Sequence, residues 1–140
     1  MATPTFVEMT AETDGGLRTT LTHGPSGARL PTDAPKDNGG EGSAFSPTDL
    51  VASGLLVCML TTMSLAARRE GIPWGKSRGR VEKHMHAAPR RIGQLVVELW
   101  LPDGLSGAQR TRVQEVAESC PVYKSLHPDI QVSVLSLIHI

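Results

Sequence analysis

The chain has 140 residues, 39% of them hydrophobic, enough for a single domain over 1–140 with a core of its own. Fourteen basic and fourteen acidic residues leave no net charge, and aromatics number only two Trp, two Phe and one Tyr, so a general nucleic-acid or membrane-surface binder is not expected. Two cysteines and no recognisable secretory signal lead to the expectation of reduced thiols in the cytoplasm rather than a structural disulfide.

Residues 5–13 (TFVEMTAET) alternate in the strand period, with Phe6 and Val7 as the strongest β-formers. Asp14-Gly15-Gly16 turns the chain into a second strand over 17–23, and Gly24-Pro25-Ser26-Gly27 turns it into a short third one over 28–32, an antiparallel meander. Residues 34–45 hold three glycines and a proline and read as a loop. Binding residues gather on such loops, but the stretch over 38–42 lacks the spacing of a phosphate-binding loop.

Residues 46–69 (SPTDLVASGLLVCMLTTMSLAARR) carry helix-start chemistry: Ser46 as N-cap, Pro47 in the first turn, and Asp49 where a capping-box acid reaches back. No charge interrupts Leu50 to Ala67, and Arg68 and Arg69 close the helix at the negative end of its dipole. The run reaches the lower edge of membrane-spanning length, about 17 residues. Its Ser, Thr and Gly content, the lack of an aromatic belt and the polar chain before it favour a soluble helix buried between layers or subunits. Beyond it, 80–86 and 92–101 (IGQLVVELWL) are expected strands joined through Ala87-Ala88-Pro89-Arg90. Residues 106–119 form a second helix with Val113, Val116 and Ala117 on its apolar side, and 130–138 form a closing strand. The fold class is α+β.

Cys58 lies mid-helix, where apolar surroundings raise a thiol pKa, and by residue type and burial alone it reads as a small core residue. A reactive Cys58 would need a cation brought to it, preferably an arginine. Cys120 precedes Pro121 and fits the N-cap of a helical turn running to Leu126, where free N–H groups would favour a thiolate. His84 and His86 share a strand face, but no third ligand accompanies them, and a solvated face is the simpler reading. His23, His127 and His139 receive no role, and neither a metal nor a cofactor is expected.

The helix led by Pro47 with Cys58 at its centre, the upstream Gly39-Gly40 with a following glycine, and the Cys120-Pro121-Val122 block before a last strand resemble the OsmC/Ohr family. The similarity runs from about Leu17 to Leu137 and lies nearer to OsmC than to Ohr, which usually carries Cys-Pro-Tyr where this chain has Cys-Pro-Val. The resemblance implies an OsmC-like fold of antiparallel sheets around a long central helix, an intertwined homodimer, and a thiol peroxidase acting on organic hydroperoxides. It makes Cys58 the peroxidatic thiol and Cys120 the resolving one, joined after turnover as a Cys58–Cys120 disulfide that an external dithiol, such as a lipoylated protein, reduces.

In the family an arginine from an early strand and an acid near the helix start activate the first cysteine. That role falls on Arg18, with Arg29 as the rival, and on Asp49, since Thr48 stands where the Ohr branch carries its acid. Asp49 either holds the arginine or only caps the helix. Methionines and leucines near Cys58 would line an apolar substrate pocket. The alternatives are a non-enzymatic dimeric protein binding a small apolar ligand with idle thiols, or a thiol-based redox sensor.

Overall fold

The computed structural model describes residues 5–138, so His139 lies outside the described residues. Two compact units make up the chain, Met1–Leu50 and Val51–Ile140.

The first unit holds strands β1 (Met9–Thr13), β2 (Arg18–His23) and β3 (Arg29–Asp33), antiparallel in the order β1-β2-β3. The meander is the one expected, but its first strand is shorter. Phe6 and Val7 precede β1 and are exposed. The reason is a lack of partner: β2 ends at His23, opposite Met9, and after one more bond, from the Gly24 N–H to the Glu8 carbonyl, the chain turns away from residues 5–7. Pro31, which offers no N–H, sits in the terminal strand of the sheet, where its missing donor costs least.

Between β3 and the long helix runs the glycine-rich loop, which contains a single 3-10 turn, Lys36–Asn38, closed by Gly39 at φ 88°. Gly40 packs so closely that a Cβ there would lie 1.9 Å from the carbonyl oxygen of Ala34, so only glycine fits. The loop returns to the sheet through a bridge between Thr32 and Phe45, and helix α1 (Pro47–Glu70) starts directly after it. Its capping box is formed: Ser46 N–H donates to Asp49 Oδ2 at 2.9 Å, and Asp49 N–H donates to Ser46 Oγ at 3.2 Å.

In the second unit β4 (Arg78–Ala87) and β5 (Arg90–Leu101) form an antiparallel hairpin, and β6 (Gln131–Ile138) lies on the other side of β5. β6 runs parallel to β5, so this sheet is mixed, not antiparallel throughout as expected. Helices α2 (Gly107–Ala117) and α3 (Pro121–Ser125) intervene between the two strands and carry the chain back to the starting end of β5, which makes the next strand parallel. Helix α2 starts on a capping box of its own, Ser106 with Gln109.

Strand β5 supplies the sheet side of the core. Leu95, Val97, Leu99 and Leu101 are enclosed in strict alternation. At its start the register slips, His84 facing Gln94 but Met85 facing Ile92, so Gly93 is the extra residue of a bulge and Ile92 keeps the core face. Ala52, Leu55, Met59 and Met63 from α1, with Val113, Ala117 and Cys120, complete the cluster. Each fully enclosed Leu or Met there contributes on the order of 2 kcal/mol. The opposite side of α1 is not covered: Val51, Val57 and Leu65 are 41%, 59% and 42% exposed. The helix is therefore half-buried within one chain, not buried all round, and with a mean hydropathy of 2.0 it is long and apolar enough to cross a membrane.

Candidate functional site

In the second unit the fold brings the two thiols together. Cys58 sits half-buried on α1 and Cys120, fully enclosed, is the N-cap of α3 in extended conformation (φ −67°, ψ 155°) with Pro121 in the first turn, as the sequence suggests. Both are free thiols. Burial pushes the Cys120 thiol up from its ordinary pKa, and the neighbouring Cys58 thiol pushes it further; the amides of Tyr123 and Val122 act in the opposite direction. Burial outweighs that pull, so the helix start does not produce the expected thiolate. Cys120 is held as a neutral thiol beside Cys58.

One turn along α1, Thr62 Oγ1 lies 3.9 Å from Cys58 Sγ, within the reach of a hydroxyl–sulfur hydrogen bond. The methionines nearest Cys58 do not line a pocket: Met59 and Met63 are both completely enclosed in the core. Leu56 and Leu60 are only partly buried.

In the first unit Arg18 opens β2 directly opposite Asp33 on β3. Its Nη2 pairs with Glu41 Oε2 at 2.6 Å, and its Nε lies 3.9 Å from Asp33 Oδ2. Asp33 is enclosed, and the same oxygen accepts the Ser43 N–H at 3.0 Å and the Ser43 hydroxyl at 2.7 Å. These Ser43 bonds, aided by Arg18 and the Ala34 amide, hold the carboxyl below its usual pKa against the opposing effect of burial. Asp49 caps α1 through Ser46, and Glu41 and Asp33 are carboxylates paired with Arg18. The rival, Arg29, lies opposite Thr22 at the far end of the β2–β3 ladder, next to the Gly24–Gly27 turn. That separates it from the end where the loop and the helix start emerge by about 13 Å of strand.

Sequence reasoning missed Asp33, Glu41, Ser43 and Thr62. Asp33 had a usable signal, because a hairpin centred on Gly24–Gly27 sets Arg18 against it. Thr62, one helical turn from Cys58, had a weaker one. His84 and His86 are both exposed on β4, with His84 Nε2 3.0 Å from Glu82 Oε1. Among the described residues no group of three or more His, Cys, Asp or Glu is placed to hold a metal ion.

A family model described as OsmC-like protein matches residues 40–134, more than half of the chain. The chain belongs to the OsmC family. Among solved OsmC-type structures, one from Psychrobacter arcticus 273-4, assigned to osmotic stress induction and detoxification response, is 37% identical, with a TM-score of 0.88 over 99% of this chain and 100% of that one. An organic hydroperoxide resistance protein OsmC from Legionella pneumophila is 22% identical, with a TM-score of 0.73 over 96% of this chain and 98% of that one. An OsmC-like protein from Mycoplasma pneumoniae is 18% identical at a TM-score of 0.81, covering 97% and 99%. The last two likenesses concern the fold alone. A comparison with curated protein sequences finds no match.

Proposed function

We propose that this OsmC-family chain is a cysteine-based peroxidase that reduces organic hydroperoxides. The observation that carries the reading is the juxtaposition of two free thiols, one half-buried on an apolar helix and the other enclosed beside it. Cys58 as thiolate attacks the distal peroxide oxygen; the O–O bond breaks, the alkoxide leaves and takes a proton as alcohol, and Cys58 becomes a sulfenic acid. Cys120 then attacks that sulfur, water leaves, and a Cys58–Cys120 disulfide forms. An external dithiol returns both cysteines to thiols and is itself oxidised to a disulfide.

Arg18 takes the part of the cation that stabilises the Cys58 thiolate and the departing oxygen, and Asp49 serves the helix start. The working form is a homodimer in which the open Val51, Val57 and Leu65 side of α1 meets its counterpart, and reduced thiols suit the cytoplasm.

Mass spectrometry with thiol alkylation after one equivalent of cumene hydroperoxide tests the chemistry. Loss of both thiols and appearance of a Cys58–Cys120 disulfide is the expected result, abolished in Cys58→Ser. Two alkylatable thiols in folded, peroxide-treated protein would instead leave a non-enzymatic binding protein.

A further inference from the structure

We propose that Asp33 is a positioning residue for Arg18: its enclosed carboxylate, pinned by Ser43, fixes the inner edge of the guanidinium and so orients the outer edge. The inference rests on the role proposed above for Arg18. An arginine at the end of a strand has a long, flexible stem, and the side chain of Arg18 is 55% exposed. Left to itself it would sample many rotamers, whereas stabilisation of a thiolate and a leaving oxygen requires a donor set in advance.

Three features of the first unit supply that constraint. The β2–β3 register sets Arg18 and Asp33 directly across from one another, where opposite charges attract. Asp33, its side chain only 3% exposed, cannot swing away, because Oδ2 accepts both the Ser43 N–H and the Ser43 hydroxyl. That oxygen lies 3.9 Å from Nε, the guanidinium nitrogen nearest the stem, an ion-pair contact longer than a hydrogen bond that leaves the terminal nitrogens to other partners. Glu41, which holds Nη2, is 79% exposed and on the glycine-rich loop, so water can replace it. Asp33 is thus the fixed partner and Glu41 the exchangeable one.

The competing reading makes Asp33 only a tie for the loop through Ser43. A neutral amide oxygen still accepts those two hydrogen bonds, though more weakly than a carboxylate, so only the part of the loss that depends on Arg18 reports the charge facing the cation. Asp33→Asn separates the two readings, since it keeps an acceptor for Ser43 and removes the charge that faces Arg18.

The test is a double-mutant cycle on the second-order rate of hydroperoxide consumption, using wild type, Arg18→Ala, Asp33→Asn and the double variant. Expected is a slowing on the order of tenfold in Asp33→Asn with little further loss when Arg18 is already Ala, as befits a residue acting through another. Ser43→Ala, which loosens the same carboxylate and leaves its charge, should slow the reaction less, again only when Arg18 is present. In parallel, the Arg18 Nε–Hε signal in nitrogen-15 NMR should be sharp in wild type and averaged in Asp33→Asn. An unchanged rate in Asp33→Asn, equal losses in both backgrounds, or an unchanged Arg18 signal would overturn the proposal. A normal rate in Arg18→Ala would instead remove the role of Arg18 itself, and the NMR signal would then report the tie without a catalytic purpose.

Discussion

Cys120 combines complete enclosure with a neighbour of its own kind, and both raise its pKa. A thiol whose pKa is higher in the folded chain than in the unfolded one stabilises the fold fully below the unfolded value, about 8.5, and that contribution is lost as pH rises through the folded value. Urea midpoints measured from pH 7 to pH 10 should therefore fall more steeply in the wild type than in Cys120→Ala. Asp33 has the opposite sign: its pKa is lowered by Ser43 and Arg18, so its contribution is full above the unfolded carboxylate value, about 3.9, and is lost as pH falls through the lower folded value. Asp33→Asn should flatten the acid limb of the same curve. In the proposed cycle Cys120→Ser permits a single turnover, after which excess hydroperoxide drives Cys58 to sulfinic acid, a gain of two oxygens by mass.

At the level of elements, α1 is fixed at its start by paired side-chain bonds and along its inner side by core packing. Ser46→Ala removes the hydroxyl that caps Asp49 N–H and should cost about 0.5–2 kcal/mol of stability, readable by denaturant titration. The loop before the helix tolerates less. A methyl at position 40 would collide with the Ala34 carbonyl, so Gly40→Ala should destabilise the chain by about 1–3 kcal/mol. In β5 the fully enclosed Leu95 belongs to the central cluster, and Leu95→Ala should cost about 2–5 kcal/mol by the same titration. The bulge at Gly93 shows why a count of alternating residues misjudges the start of this strand: one extra residue returns Ile92 to the core side.

For the whole molecule the telling feature is the uncovered apolar side of α1. A helix this hydrophobic, open at Val51, Val57 and Leu65, presents a surface that water does not favour, and the proposed homodimer covers it. Light scattering coupled to size exclusion should give twice the 15.0 kDa chain mass for wild type, and Val57→Lys should shift the population to monomer. A monomeric wild type with the open side intact would sink the dimer.

Local pattern determined much of this protein. The capping box of α1, the turns at 14–16 and 24–27, the apolar side of α2 and the Cys120-Pro121 helix start depend on neighbours a few residues apart, and each is legible without a fold. Residues 5–7 read as strand from their own composition but needed a partner strand that ends too early. The direction of β6, the burial of Met59 and Met63, the meeting of Cys58 with Cys120, and the pairing of Arg18 with Asp33 and Glu41 are different in kind. They depend on where the chain returns after dozens of residues, and the free energy that selects that return is summed over the whole core, so no single stretch of sequence carries it.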